Sequence, residues 1–389
     1  MRDERRMVIR HTIEGASSDL RSISLAIHEH PELNFEERFA HALLTDFLHD
    51  AGFRVERSAF GLATAFRATV GEGRPCVAVL CEYDALPEIG HACGHNLIAA
   101  AGVAAGLALK AAGAPGTVVV LGTPAEEGGG GKVFMLERGA FDGVDAAMMV
   151  HPAPGHSVWP NVIGVESLAV EFFGRAAHAA MAPFEGLNAL DAMVLAFNGV
   201  ALLRQQLRPN TRVHGVITRG GAKPNIIPDY TAAELYVRAR RQAELEELKA
   251  KVVACFEGAA RATGCRLEVR WTGPRFSDLR TNDPLAGRYA SHLEALGVSI
   301  PPRGANPLDQ TPISTDMGNV SHAVPAIHPL FAIPTEGGNH TPAFAEAARS
   351  EAAHRAMLRA ATALAETAFD CLIDAELLRG SREAFERVE

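Results

Sequence analysis

Five residues of this 389-residue chain have the types and placing to hold a metal ion and move a proton: Cys93, His95, Glu126, Glu127 and His151. Each comes just after a short apolar run. CVAVL leads into Glu82-Tyr83-Asp84-Ala85-Leu86-Pro87 and then His91-Ala92-Cys93-Gly94-His95-Asn96. TVVVL leads into Thr123-Pro124-Ala125-Glu126-Glu127-Gly128, and AAMMV leads into His151-Pro152. Thiolate, imidazole and carboxylate are the usual zinc donors, and imidazole with carboxylate also suits manganese. Cys-Gly-His places two donors in one tight loop, where Gly94 permits the turn. A helix starting near Asn96 is expected to favour a thiolate at Cys93 through its N-terminal dipole.

Adjacent carboxylates on an extended loop diverge, so one can bind metal while the other faces a water. A metal lowers the pKa of such a water towards about 7. A free carboxylate can then take its proton and pass it to a leaving amine. Spacing does not decide between the two; Glu126 is assigned as general base and Glu127 as ligand. Taken singly, these residues read as ordinary: a buried Cys as packing, paired glutamates as solvated surface. Their shared position behind three apolar runs is what changes the reading.

Those runs are expected to be neighbouring strands. The first third alternates strands (63–70, 75–80, 116–121, 146–150) with helices (17–30, 36–51, 96–112, 132–138). Uniformly apolar strands between helices indicate a mainly parallel sheet covered on both faces. Ligands collect beyond the carboxyl ends of such strands. The pattern then changes. A strand over 165–173, a helix over 187–207, strands over 212–219 and 231–240, a helix over 243–260 and a strand over 265–271 give the order β-α-β-β-α-β of a ferredoxin-like α+β unit. Helical and strand-like pieces resume over 283–296, 322–333 and 346–378. The fold class read from this is α/β, with an inserted α+β domain at 164–275 dividing a first domain into 1–163 and 276–389.

Composition narrows the partners. The net charge is −9, and no run of Lys or Arg marks a nucleic-acid surface. No window approaches 18 consecutive apolar residues, and the N-terminus lacks the apolar stretch of a signal peptide. A cytoplasmic protein without membrane contact is expected. Cys76 and Cys81 lie five apart on one strand and face opposite sides, so no disulfide framework is read from the six cysteines.

The strings GHACGHN, GTPAEEGGGGK, VHP, GRAAHAAMAPFEGLNALDA and GGNHTPAF together resemble the aminoacylase/carboxypeptidase-like zinc metallopeptidases, over nearly the whole chain. Within them the chain is similar to the N-acyl-amino-acid amidohydrolase branch, nearest to p-aminobenzoyl-glutamate hydrolases and β-alanyl-dipeptide hydrolases. The resemblance implies a catalytic domain with an inserted lid and dimerisation domain, and two divalent metal ions per subunit, zinc or manganese. It implies Cys93 as the bridging ligand, with His95, Glu127, His151 and the distant His340. By residue type alone His322 and His328 rival His340. Glu126 matches the catalytic carboxylate. His178 matches a histidine that polarises the scissile carbonyl from the partner subunit of a homodimer. Asn225 matches a lid residue near the substrate, Arg238 is the candidate for gripping a substrate carboxylate, and Ser314 with Asp316 is placed at the pocket. Much of the branch has Asp where this chain has Asn96, a change expected to weaken the orientation of a histidine ligand. Asp84 is expected to be the partner of a ligand histidine. The implied activity is hydrolysis of the amide of an N-acyl amino acid or dipeptide-like small molecule. The alternatives are an N-deacetylase or desuccinylase of an amino acid, or a non-catalytic metal-binding relative.

Overall fold

The computed structural model describes residues 2–387. In chain order the helices and strands are α1 (Arg2–Gly15), α2 (Ser17–Glu29), α3 (Arg38–Asp50), β1 (Arg54–Arg57), β2 (Phe66–Gly71), β3 (Cys76–Cys81), α4 (His95–Ala111), β4 (Thr117–Gly122), α5 (Gly131–Glu137), β5 (Ala146–Met148) and β6 (His151–Ala153). There follow β7 (Gly164–Phe173), α6 (Ala189–Leu203), β8 (Arg212–Arg219), β9 (Tyr230–Ala239), α7 (Gln242–Thr263) and β10 (Arg266–Phe276). The chain closes with α8 (Asp283–Ala295), α9 (Met317–Ser321), β11 (Ala326–Ile327), β12 (Leu330–Ala332), α10 (Pro342–Ala348), α11 (Glu351–Ile373) and α12 (Ala375–Glu386). Two compact units result, one of Met1–Asn161 with Leu279–Glu389, the other of Val162–Asp278.

The first unit is built on a six-stranded sheet in the order β1-β2-β4-β3-β5-β11. β3 is parallel to both β4 and β5, and β11 is parallel to β5; β1 and β2 add an antiparallel edge. All six residues of β3 are buried, as expected of a strand covered on both faces. Cys81 joins the core on one face and Cys76 the core on the other. Among the described residues every cysteine is free. α4 lies directly on β3: a Cβ on Gly102 would come within 2.6 Å of the Leu80 carbonyl oxygen, so only Gly lets the helix sit this low. The small face of α11 packs against α4 in turn.

The other unit shows the order β-α-β-β-α-β, with an antiparallel sheet β10-β7-β9-β8. Ala233, Leu235, Val237 and Ala239 of β9 share the buried face, as their alternation requires.

α1 is not legible as a helix in the sequence. Its apolar face is narrow, and it is held by charge. Arg6 Nη2 reaches Asp370 Oδ2 at 2.8 Å and Arg10 Nε reaches Glu366 Oε1 at 2.6 Å, both acids lying fully buried on α11. From α8, Arg288 Nη1 lies 2.6 Å from Asp370 Oδ2, while His292 places its two ring nitrogens 2.9 Å from Asp370 and 3.1 Å from Glu366. No helix among the described residues is long and apolar enough to cross a membrane.

Candidate metal centre

Three loops after β3, β4 and β5 bring donors to one edge of the sheet, and the first two, like the segment carrying His340, hold a residue at positive φ. Gly94 (φ +79°) separates Cys93 from His95, the first residue of α4. Ala125 (φ +57°) precedes Glu126, and His340 itself has φ +66°. Non-glycine residues adopt this region at a cost of order 1 kcal/mol or more, which the surroundings must offset. The segment between α2 and α3 does so for Ala125. Its backbone N–H donates to Glu37 Oε1 at 2.8 Å, and Asn34 Nδ2 donates to the Glu127 carbonyl at 2.7 Å. The Glu32 carbonyl accepts from Ala85 N on the neighbouring loop at 2.8 Å. Burial pushes Glu37 up to about 7, opposed by the hydroxyl of Thr64 donating to it.

Three trios have donor atoms mutually within 4.8 Å: Cys93, His95 and His151; Cys93, Glu127 and His340; His95, Glu126 and Glu127. Asp84 Oδ1 lies 2.9 Å from His95 Nδ1, and His151 Nδ1 lies 2.8 Å from the Pro152 carbonyl. Each ring thereby turns its Nε2 inward, the usual orientation of a ligating imidazole. His151 Nε2 is 3.4 Å from Cys93 Sγ, and His340 Nε2 is 3.2 Å from Glu127 Oε1. His95 Nε2 is 3.8 Å from Glu126 Oε2 and 4.0 Å from Glu127 Oε1. Bonds of about 2.0–2.3 Å to a tetrahedral ion would set its donors roughly 3.3–3.6 Å apart. His95 Nε2 and Glu127 Oε1 are buried without a hydrogen-bond partner. Buried polar atoms left in this way are costly, so the donor set fits a cation.

The electrostatics correct one expectation. Burial, with Glu127 beside it, pushes the Cys93 thiol well above its ordinary range, outweighing any help from α4. A coordinated cation, not the helix, is what would deprotonate it. Burial first, then the carboxylates of Glu82, Glu127 and Asp316, raise Glu126 well above the usual carboxylate range. Glu127 goes the other way: burial is outweighed by His340 and His95. The two glutamates are thus held in opposite protonation tendencies, as a base beside a ligand requires.

Asp84 lies against His95. Asn96 hydrogen-bonds none of His95, His151 and His340. Its Nδ2 donates to Ser24 Oγ at 2.9 Å and to the Ala348 carbonyl at 3.2 Å, because the first turn of α4 points it at α2 and α10. The change from Asp therefore falls on a helix contact, away from the candidate donors. Of the late histidines, His340 faces Glu127, His328 stacks on the His151 ring at 5.4 Å, and His322 ends α9. Ser314 lies on the loop leading to Asp316. His178, Asn225 and Arg238 belong to the second unit, where Ala179 N donates to the Asn225 carbonyl and Arg238 lies over the Tyr236 ring.

Sequence alone assigns no role to Glu82 or Lys132. Lys132 is fully buried, with Nζ 2.5 Å from Glu82 Oε1 and 2.7 Å from Asp316 Oδ1. The available signal is a lone lysine at the start of an apolar helix, which must find buried acids. Burial raises Asp316 to about 6 against the pull of Lys132.

Gly94→Ala tests how tightly the loop is drawn. A Cβ there would lie 2.5 Å from Pro152 Cγ in a left-handed conformation. The expected result is a protein that folds but binds metal at least about ten-fold more weakly, as when groups that orient ligands are disturbed; chelator competition reads it. Unchanged affinity would show that Cys93 and His95 do not depend on this turn.

The sequence pattern of Peptidase family M20/M25/M40 matches residues 78–367. A mouse (Mus musculus) Xaa-Arg dipeptidase is 44% identical, the match covering 96% of this chain and 90% of that protein. One of the p-aminobenzoyl-glutamate hydrolase polypeptides of Escherichia coli (strain K12) is 30% identical over 97% of this chain and 94% of its own. Among solved structures, a dinuclear metal binding peptidase of the M20 family from Bacillus subtilis superposes with a TM-score of 0.74 at 22% identity, covering 92% of this chain and 99% of that one.

Proposed function

Because the chain belongs to the M20/M25/M40 peptidase family, we propose that it cleaves a dipeptide or N-acyl amino acid at the amide whose nitrogen belongs to an amino acid with a free carboxylate. It is a metal-dependent hydrolase of amide or peptide bonds. The observation that carries the reading is the convergence of donor atoms at three strand ends, two of which, His95 Nε2 and Glu127 Oε1, are buried without a hydrogen-bond partner. Cys93, His95, Glu127, His151 and His340 are the residues that would hold two divalent ions, zinc or manganese. Such ions would lower the pKa of a water and polarise the scissile carbonyl. Glu126 takes the proton of the attacking water and delivers it to the leaving amine.

His178 is proposed to act in a homodimer, reaching the substrate carbonyl from the second copy. Its Nδ1 accepts from the backbone N–H groups of Ala180 and Met181 at 3.3 and 3.2 Å. The neutral ring therefore carries its proton on Nε2, free to donate to a carbonyl oxygen gaining charge. The edge strand β8 exposes Val216 and Ile217, and α6 exposes Leu195 and Leu202, apolar surface suited to pairing with a second copy. Asn225, bridged to the His178 segment, Arg238 and Ser314 are proposed at the substrate. Six free cysteines fit a reducing compartment such as the cytoplasm.

The test is a hydrolysis panel with zinc- and manganese-loaded protein, containing Xaa-Arg dipeptides, aminobenzoyl-glutamate, β-alanyl dipeptides, hippurate and acetyl-amino acids. Turnover of a dipeptide or aminobenzoyl-glutamate, abolished by chelation, is expected. Turnover confined to acetyl-amino acids would favour an N-deacetylase, and no turnover of any member by metal-replete protein would refute the reading.

A further inference from the structure

We propose that a cavity between α11 and the ends of β6 and β12 binds a small organic anion, a carboxylate carried on an apolar body. The cavity measures about 400 Å³ and lies wholly within the first unit. That volume falls among small-molecule sites, roughly 300–1,000 Å³. Neither Glu126 nor any candidate metal donor lines it.

One wall is α11. Ala352, Arg355, Ala356 and Arg359 follow the i, i+3, i+4, i+7 spacing of a single helix face. The two alanines keep the floor low and leave room between the longer arginines. The facing wall continues the two strands, with Pro154 just past β6 and Ile333 and Pro334 just past β12. This wall is fixed. The Ile333 N–H donates to the Ala153 carbonyl at 2.9 Å, and each proline ring holds its own backbone. A rigid apolar wall loses little freedom when a ligand settles on it.

The charge of the lining selects the ligand. Three basic side chains and no acidic one line the cavity, in a chain of net charge −9. His156 is oriented by the Ala332 N–H, which donates to its Nδ1 at 3.2 Å. Burial first, and then Arg359, hold this ring below the ordinary histidine range. The ring is therefore neutral with its proton on Nε2, and it joins the two guanidinium groups as a donor. Glu351 Oε2 lies 3.3 Å from Arg355 Nη1, while its Oε1 lies 3.1 Å from Arg21 Nη1. These pairs are exposed and weak, so Arg355 remains open to a better acceptor. A carboxylate would meet two planar forks and one N–H, and its apolar part would cover Ile333 and the prolines. A bare inorganic anion would leave that surface wet.

Isothermal titration calorimetry on metal-loaded protein tests this. Benzoate is the probe, inorganic phosphate supplies the charge alone, and benzyl alcohol supplies the body alone. Saturable benzoate binding to wild type is expected, tighter than that of either control. Arg359→Gln should weaken benzoate about ten-fold or more, the loss of a charge-assisted hydrogen bond, and Arg355→Gln/Arg359→Gln should weaken it further. Ala352→Leu fills the floor and should weaken benzoate with no change of charge. Both arginines are exposed and Ala352 is partly so, so these variants should fold, which circular dichroism checks. Unchanged benzoate affinity in the folded double variant would place binding elsewhere, the metal centre included, and overturn the proposal. Phosphate binding as tight as benzoate, or no saturable benzoate binding to wild type, would overturn it too.

Discussion

Glu126→Gln is expected to lower kcat by about 10²–10⁴-fold, the usual contribution of a positioned general base, while metal content stays at the wild-type level. Gln has the same shape and occupies the same loop, so Ala125 and Glu127 keep their places. What it loses is the ability to accept and return a proton. The surroundings of Glu126 favour the proposed role. Glu126 is almost fully buried, among Glu82, Glu127 and Asp316, and these neighbours make its carboxylate a better base than an ordinary one. Glu127→Gln is the control with the opposite profile. It removes an anionic donor 3.2 Å from His340, and metal content should fall with activity. Steady-state kinetics and metal analysis on both variants separate the roles. Full turnover by metal-replete Glu126→Gln would transfer the base to another group.

The second large effect is on stability, far from the chemistry. Asp370→Ala is expected to cost about 3 kcal/mol, at the low end for breaking a buried ion pair because its arginine partners are partly exposed. The cost should depend on pH. Asp370 and Glu366 are lowered, burial being outweighed by His292 with Arg288 and Arg6 at the first and with Arg10 at the second. Their stabilisation is present above the unfolded carboxylate range and is lost as pH falls through their lowered folded values. His292 is raised, burial being outweighed by Asp370 and Glu366. Its share is complete below about 6.5, the unfolded value, and is lost as pH rises through the raised folded one. The difference between wild type and variant should therefore be widest from about pH 4.5 to 6.5 and narrow on both sides. Denaturant titration of both proteins across this range measures it; a flat difference would show that the cluster is held by packing.

Sequence shows the donor set because chemistry and periodicity coincide there. CVAVL, TVVVL and AAMMV announce buried parallel strands, and the donors follow each at once. Geometry that depends on distant contacts is hidden. Asn96 sits one residue past His95, yet the helical turn sends it to Ser24 and Ala348. The Cys93 thiol is misjudged because a helix start is visible in a sequence, whereas the burial that outweighs it is not. Lys132 and Glu82 are fifty positions apart, and only the fold shows that they pair. α1 escapes because its charged partners lie on α11, more than 350 positions along the chain.

The division of the first unit around the second has a consequence for how the protein is made. β5 gains its outer neighbour only when Ala326 pairs with Ala147, and His151 is fixed only when Leu330 pairs alongside it. A chain still growing on the ribosome thus carries Cys93, His95, Glu127 and His151 while lacking β11, β12 and His340. The second unit is continuous and has its own core, so it can fold while the first waits. If His340 holds an ion as proposed, that ion can load only after β11 and β12 have been made. Truncation between Leu279 and His340 would yield a product with a folded middle and an incomplete centre.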